Sequence, residues 1–209
     1  MHDAVREALG VLWPRACAGC GAPDRGVCAA CAAAFAGVHV EHRDGVAVRW
    51  AATYDGAARA VVLAAKEEGR PSALRVLAAA LARLVAATAA DAGAGDGVLA
   101  VLVPASREGT RRRGFVPVRI LARRARLPAV ELVQVEERQQ KRRARADRLR
   151  HAGLRVRSRD AARLRGARVV VVDDVATTGA TLREAVRAAR LAGAEVVGAV
   201  VVARVPRHG

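Results

Sequence analysis

The sequence predicts an α/β protein in which a parallel β-sheet is flanked by helices and preceded by a small cysteine-rich module. Val169–Val172 are four β-branched residues in a run too short for a buried helix, which is typical of a strand covered on both faces. Val98–Val103 is a second apolar run of the same kind. All four cysteines of the chain lie within residues 17–31, ahead of both predicted strands.

The composition fits one α/β domain with a small appendage, since 53% of the 209 residues are hydrophobic. No run of 18 or more residues is apolar, and Asp3, Arg6 and Glu7 stand where a signal peptide needs an apolar core. We therefore expect a cytoplasmic protein that does not insert into a membrane. The net charge of +16 favours an anionic partner, either nucleic acid or a polyphosphate, although a GC-rich genome also produces arginine-rich chains.

The cysteines are Cys17, Cys20, Cys28 and Cys31, which form two C-x2-C pairs separated by seven residues. Two such knuckles supply four thiolates for a tetrahedral Zn²⁺ site, and a reducing cytoplasm disfavours disulfides. Because four thiolates leave no open position for water, we expect a structural zinc that folds residues 1–35 and takes no part in catalysis. A redox pair or loose thiols are the alternatives. We assign the module to residues 1–40 and the main domain to residues 41–209.

The stretch between the cysteines and the second apolar run predicts one strand and two helices. Residues 36–45 are polar and predict a connector with solvated histidines. Residues 46–54 alternate in part and predict a strand, and residues 57–68 predict a helix that ends at Gly69. A longer helix begins at Pro71, because leucines recur along one face at helical spacing.

The segment after Val169–Val172 predicts a phosphate-binding loop. Asp173 and Asp174 follow the strand directly, and the small residues and hydroxyls of 175–181 indicate that the strand ends there in a turn. Apolar residues at helical spacing follow, so the backbone N–H groups of a helix N-terminus face the loop and suit a phosphate. The two carboxylates can accept hydrogen bonds from vicinal sugar hydroxyls. The sequence thus favours a ribose 5-phosphate site over an ordinary polar strand end and helix cap.

Val169–Thr181 resembles the phosphoribosyl-pyrophosphate (PRPP) motif of type I phosphoribosyltransferases, with four apolar residues, two acids and a small-residue loop. The resemblance implies the type I phosphoribosyltransferase fold and a PRPP substrate accompanied by Mg²⁺. It also implies that Asp173 and Asp174 are the catalytic pair that holds the ribose hydroxyls. The remaining residues that it implies for PRPP binding are Val175, Ala176, Thr177, Thr178, Gly179, Ala180 and Thr181.

The loop after the strand at residues 98–103 contacts pyrophosphate in type I phosphoribosyltransferases. By that resemblance Arg107 and Arg113 are the pyrophosphate-facing residues of this chain. Residues 118–125 predict the following helix, and residues 129–135 predict the next strand.

Residues 136–150 form a basic run with few apolar residues, which is usually a solvated segment. Type I enzymes carry a flexible loop at this place in the chain, and it closes over the reactive centre. The run also supplies the candidates for nucleic-acid contacts, namely Arg138, Lys141, Arg142, Arg143, Arg145 and Arg148.

The whole pattern is similar to the ComF family of competence-associated, phosphoribosyltransferase-like proteins, which implies a link to DNA uptake and natural transformation. The shared features are the four-cysteine knuckle, the spacing of Tyr54, Lys66 and Gly69, a proline nine residues before Arg113-Gly114-Phe115, and the spacing of Gln140 and Arg148.

Three positions depart from that family's pattern. Its Pro-x-Pro is Leu102-Val103-Pro104 here, its Asn-Gln after Arg-Gly-Phe is Val116-Pro117, and the Asn expected three residues after Arg148 is His151. The departures bear on substrate recognition and turnover, whereas the PRPP motif is intact.

The leading functional interpretation is a PRPP-binding, phosphoribosyltransferase-like protein that transfers phosphoribosyl to an unidentified acceptor. The alternative is a non-catalytic competence factor that binds single-stranded nucleic acid, or a PRPP sensor, with the fold as scaffold and competence-machinery proteins as partners. The chain has only five aromatic residues for base stacking, so nucleic acid would be bound mainly through its backbone. A purely structural adaptor would leave the PRPP motif unexplained.

Overall fold

The computed structural model describes residues 16–23, 26–95, 97–134 and 153–206. The strands in these ranges are β1 (His39–Arg43), β2 (Val46–Thr53), β3 (Leu99–Leu102), β4 (Ala129–Gln134), β5 (Leu154–Val156), β6 (Arg168–Ala176) and β7 (Glu195–Arg204). The helices are α1 (Ala29–Ala33), α2 (Gly56–Lys66), α3 (Pro71–Asp91), α4 (Arg107–Arg113), α5 (Pro117–Arg124), α6 (Ala161–Leu164) and α7 (Ala180–Leu191), with a 3₁₀ turn at Ser158–Asp160 before α6.

The seven described strands form one sheet in the order β1-β2-β7-β6-β3-β4-β5. The five inner strands run parallel, and the two edge strands, β1 and β5, pair antiparallel to their neighbours. β6 and β3 lie side by side, so their carboxyl ends open at the same edge of the sheet. This arrangement confirms the predicted α/β fold with a parallel sheet.

Helices cover both faces of the sheet and explain the run of valines in β6. Val170 and Val172 point into a core shared with α2, α3 and α5, whereas Val169 and Val171 point into a core shared with α7. All four side chains are fully buried. Because successive side chains of a strand face opposite sides, a strand buried on both faces needs apolar residues at every position.

α3 is the longest described helix and lies in the core. Pro71 occupies its first turn, where a missing N–H costs no hydrogen bond. By length and composition alone, this helix could cross a membrane, since its most apolar window has a mean hydropathy of 1.7. However, 56% of that window is buried inside the protein. Leu77, Leu81 and Leu84 are among the most deeply buried side chains, as expected for a core helix of an α/β domain.

The cysteine-rich segment packs on the same core as the main sheet. Cys17, Cys31 and Phe35 are buried in the cluster that contains α2 and α3. Gly19 lies so close to Cys31 that an added Cβ would be 2.6 Å from the Cys31 Sγ, so this turn requires glycine.

The prediction that residues 36–45 are a polar connector is wrong, because His39–Arg43 form β1. Every residue from His39 to Arg43 has a register partner in β2, and the His39 ring stacks on Trp50 with centroids 5.5 Å apart. An edge strand is half-solvated, so a polar sequence can supply it without an apolar signal.

Two features at the other end of the chain also differ from the sequence analysis. β6 continues through Asp173 and Asp174 to Ala176, since β7 pairs with it along this stretch, and the turn starts only after Ala176. β7 itself was not predicted, although Val200–Val202 carry the same apolar signal as Val169–Val172. The extra partner strand explains the longer β6.

Gly198 in β7 provides a test of the packing between the sheet and α3. A Cβ at Gly198 would lie 2.4 Å from the Thr88 Cγ2, and Thr88 is buried with its hydroxyl donating to the Leu84 carbonyl at 2.8 Å. Gly198→Ala should therefore lower the free energy of unfolding by about 1–3 kcal/mol, measured by chemical denaturation. Adding Thr88→Ser removes Cγ2 and keeps the hydroxyl, so the double variant should recover much of the loss. Simple additivity of the two single changes would contradict this packing.

Candidate functional site

A cavity of about 330 Å³ opens at the carboxyl ends of β3, β4 and β6. Open α/β sheets bind ligands at this edge. Its charged and polar lining consists of Lys66, Ser106, Arg113, Gln134, Asp173, Asp174 and Thr181. The sequence-predicted acids and one predicted arginine therefore share one cavity.

Asp173 and Asp174 are held by backbone N–H groups and by one lysine. The Asp174 N–H donates to the Asp173 Oδ1 at 2.8 Å, and the Val175 N–H donates to the Asp174 Oδ1 at 2.7 Å. Lys66, at the end of α2, donates from Nζ to the Asp174 Oδ1 at 2.9 Å. The Asp174 side chain is only 13% exposed, so this ion pair lies largely out of water.

The two acids differ in charge environment. Burial and the neighbouring Asp174 carboxylate raise the pKa of Asp173 to about 8. The Asp174 N–H and Lys66 lower this pKa, but their effect is smaller. Two adjacent carboxylates resist simultaneous ionisation when only one of them has a cationic partner. Asp173 is therefore largely protonated at neutral pH in the ligand-free protein, and its carboxyl group can donate as well as accept a hydrogen bond.

The loop between β6 and α7 presents hydroxyls at the N-terminus of a helix. Gly179 caps α7 in the left-handed conformation, with φ of 77°, which favours glycine at this position. Thr177 and Thr178 are exposed, and the Ala180 N–H donates to the Thr178 Oγ1 at 3.3 Å. Arg43 of β1 contacts the loop, where its Nη1 donates a hydrogen bond to the Thr178 carbonyl at 2.8 Å.

The structure divides the predicted loop residues between two depressions. Val175 and Thr181 line the cavity with the two acids. Thr177 and Gly179 instead line a neighbouring groove of about 420 Å³ between α7 and the β1–β2 hairpin. The loop thus forms the wall between the two depressions.

The two arginines assigned to pyrophosphate lie at opposite ends of α4. Arg113 lines the cavity, and its side chain is only 7% exposed, with Nη1 3.2 Å from the Glu67 Oε1. The Arg113 Nε is buried and has no hydrogen-bond partner among the described residues. Arg107 is exposed at the first turn of α4 and is not among the residues that line the cavity.

The four cysteine sulfurs form a second candidate site, on the α2–α3 side of the sheet. All four Sγ atoms lie within 4.8 Å of one another, and the Cys20 and Cys28 sulfurs are 3.8 Å apart. Zn–S bonds of about 2.3 Å place the sulfurs of a tetrahedron about 3.8 Å apart, so the cluster fits a metal such as zinc. The N–H groups of Gly19 and Cys28 point at the Cys17 sulfur, at 3.4 and 3.3 Å, and stabilise it as a thiolate.

Some predicted residues lie outside the described structure, and some site residues were missed. The nucleic-acid candidates, from Arg138 to Arg148, fall in the range 135–152, which the structure does not describe. The sequence singled out Lys66 only by its spacing from Tyr54 and Gly69. Its rarity is a usable signal, because the chain contains only two lysines among 36 basic residues.

Residues 109–208 match the Phosphoribosyl transferase domain family, slightly under half of the 209 residues, and the match includes Asp173, Asp174 and the loop. No curated protein sequence is significantly similar to the chain. The match supports a phosphoribosyltransferase-type domain within these residues.

Similar solved structures include phosphoribosylpyrophosphate synthetase from Mycobacterium smegmatis, at 18% identity and a TM-score of 0.36 over 60% of this chain and 32% of that one. Adenine phosphoribosyltransferase from Leishmania donovani is 16% identical, with a TM-score of 0.40 over 68% and 57% of the two chains. The Rhodothermus marinus adenine phosphoribosyltransferase is 19% identical, with a TM-score of 0.34 over 66% and 70%. This chain therefore spans less than two thirds of the first two proteins.

The raised pKa of Asp173 predicts that this residue destabilises the ligand-free protein as pH rises. The pKa of Asp173 is near 8 in the folded state and has an ordinary value of 3.8, so folding favours the protonated carboxyl group. The contribution of Asp173 to folding stability is therefore fully present below pH 4 and is lost as pH rises through 8. Asp173→Asn should therefore be more stable than the parent at pH 8, by on the order of 1 kcal/mol or more, and nearly equal to it at pH 4. Thermal unfolding across this pH range measures the difference.

The matched control is Asp44→Asn, which removes an exposed carboxylate from the β1–β2 turn. Its stability relative to the parent should change little across the same range. An Asp173→Asn curve that ran parallel to the parent's would contradict the assignment of a protonated Asp173.

Proposed function

We propose that the chain binds PRPP with Mg²⁺ and transfers its phosphoribosyl group to an acceptor that is still to be identified. The observation that carries the proposal is the meeting of Asp173, Asp174 and the nearly buried Arg113 in one cavity, beside the Gly179-capped helix of a phosphoribosyltransferase-type domain. Carboxylates for a diol, N–H groups and hydroxyls for a phosphate, and a guanidinium for a diphosphate are the three chemistries that PRPP requires.

Each group of residues has a separate task in this proposal. Asp173 and Asp174 accept hydrogen bonds from the ribose hydroxyls, and Thr177–Thr181 bind the 5-phosphate. Arg113 stabilises the negative charge that develops on the departing diphosphate, and Arg107 binds the same group from the exposed end of α4. The oxygen-rich lining with Ser106 and the two acids suits Mg²⁺, which binds oxygen ligands together with substrate phosphates and neutralises them.

Lys66 holds the acidic pair in the absence of ligand. Its Nζ lies 2.9 Å from the Asp174 Oδ1, so it compensates the charge of Asp174, whereas the raised pKa of Asp173 keeps that carboxyl group largely protonated. When ribose hydroxyls donate to Asp174, the ammonium group is available to the diphosphate. Lys66 is therefore a positioning residue for the acid pair in this proposal.

The four cysteines hold a structural zinc in the same proposal, and their closed ligand set separates this metal from the reaction. The cysteine knuckle and the Arg113-Gly114-Phe115 segment resemble those of the ComF family. This resemblance extends the proposal to a cytoplasmic protein with a role in DNA uptake. The net charge of +16 supports the alternative function, binding of single-stranded nucleic acid with the fold as scaffold.

PRPP binding tests the main proposal directly. Asp173→Asn combined with Asp174→Asn should raise the Kd for PRPP in the presence of Mg²⁺ by at least about tenfold, because a neutral amide is a weaker acceptor than a carboxylate. Isothermal titration calorimetry measures the change. Asp55→Asn, an exposed acid at the start of α2, is the control and should bind as the parent does. Equal PRPP affinity of the double variant and the parent would refute the diol assignment.

Metal analysis tests the zinc proposal separately. The purified, reduced protein should contain about one Zn²⁺ per chain. Cys20 is exposed, whereas Cys17 and Cys31 belong to the core, so Cys20→Ser removes a ligand with the least loss of packing. This variant should lose most of its zinc and unfold at a lower temperature than the parent. Freshly reduced protein without bound metal would contradict the assignment of the four cysteines to a zinc site.

A further inference from the structure

A second cavity lies along α5, apart from the cavity that contains Asp173 and Asp174. Its volume is about 500 Å³, within the range of small-molecule sites, and none of its described lining residues lines the first cavity. Pro117 and Val118, at the start of α5, line the first cavity, whereas Arg119 and Arg123, farther along, line the second. α5 is therefore a common wall between two separate cavities.

Positive charge dominates the second cavity, which we call the arginine cavity. It is lined by five guanidinium groups and two carboxylates, from Arg119, Arg123, Arg157, Arg159, Arg163, Glu131 and Asp160. The arginines thus exceed the acids by three charges among the described lining residues. An anion that enters the cavity would relieve the mutual repulsion of these guanidinium groups.

The two acids fix the positions of several arginines. Glu131, which is 16% exposed, contacts Arg119 and lies 3.7 Å from the Arg157 Nη2 through its Oε2. Asp160, equally shielded, lies 3.8 Å from guanidinium nitrogens of Arg159 and Arg163. Guanidinium groups that are already placed lose less conformational freedom when a ligand binds.

Arg123 and Arg159 retain the greatest capacity for a ligand. Arg123 is exposed and has no acidic partner among the described residues, and the Arg159 side chain is 74% exposed. The apolar side chains of Leu102, Ala122 and Leu127, which pack in the core on the α5 side of the sheet, also line the cavity. The cavity thus combines cationic groups at its mouth with an apolar floor.

We propose that the arginine cavity binds a phosphorylated small molecule with an apolar ring, of the class of nucleoside diphosphates and triphosphates. Guanidinium groups bind phosphate oxygens in a bidentate manner, and the floor of Leu102, Ala122 and Leu127 accepts the face of a base. Glu131 and Asp160 disfavour an extended strand, because they would repel phosphates that continue beyond the arginines. The site is independent of the PRPP site, and α5 connects the two.

Calorimetric titration with ADP and with inorganic tripolyphosphate tests the site. Arg123→Ala combined with Arg159→Ala should raise the Kd for both compounds at least tenfold. The matched control is Arg124→Ala, which changes the next residue of α5, also exposed but outside the cavity. This control should bind both compounds within twofold of the parent.

Further measurements test whether the loss of binding arises at the arginine cavity and which class of ligand the cavity binds. The same ratios should hold in an Asp173→Asn, Asp174→Asn background, since no described residue lines both cavities. Parent-like ADP binding by the double arginine variant, or no ADP binding by the parent up to millimolar concentration, would overturn the proposal. So would a loss confined to a twelve-residue oligothymidine, which would identify the cavity as a strand-binding surface instead.

Discussion

The burial of β6 on both faces is the constraint on which the site depends. Valines 169 to 172 have helices on either side, so the strand can neither slide nor rotate without exposing apolar surface, and its carboxyl end is fixed in space. Two carboxylates continue this strand and are retained at a cost, since burial raises the pKa of Asp173 to about 8. A buried acidic pair of this kind is retained where the surrounding core fixes its position and where a bound ligand can offset its energetic cost.

Much of this arrangement could be predicted from the sequence because it depends on local signals. The apolar runs of β3 and β6, the helical periodicity of α3, and the cysteine spacing each need only a short window of residues. The position of the loop after β6 could be predicted for the same reason, since Gly179 and its threonines stand directly between a strand and a helix.

The missed features depend on partners that are distant in the chain. β1 is a strand only because β2 pairs with it, and its polar sequence carries no strand signal of its own. Lys66 becomes a site residue only because the fold brings it to Asp174, 108 residues farther along the chain. The arginine cavity is likewise assembled from α5, β4 and the segment after β5, so no window of sequence contains it.

The polar character of β1 has a consequence for the behaviour of the protein at high concentration. A parallel sheet of apolar strands would aggregate through any long, apolar edge left open, because another chain could extend its hydrogen-bond ladder. β1 is five residues long and carries Glu41 and Arg43, and β5, at the opposite edge, is three residues long. The described sheet therefore ends on both sides in short strands that carry charged side chains, Arg155 in the case of β5, which makes intermolecular strand pairing unfavourable and keeps the apolar interior enclosed.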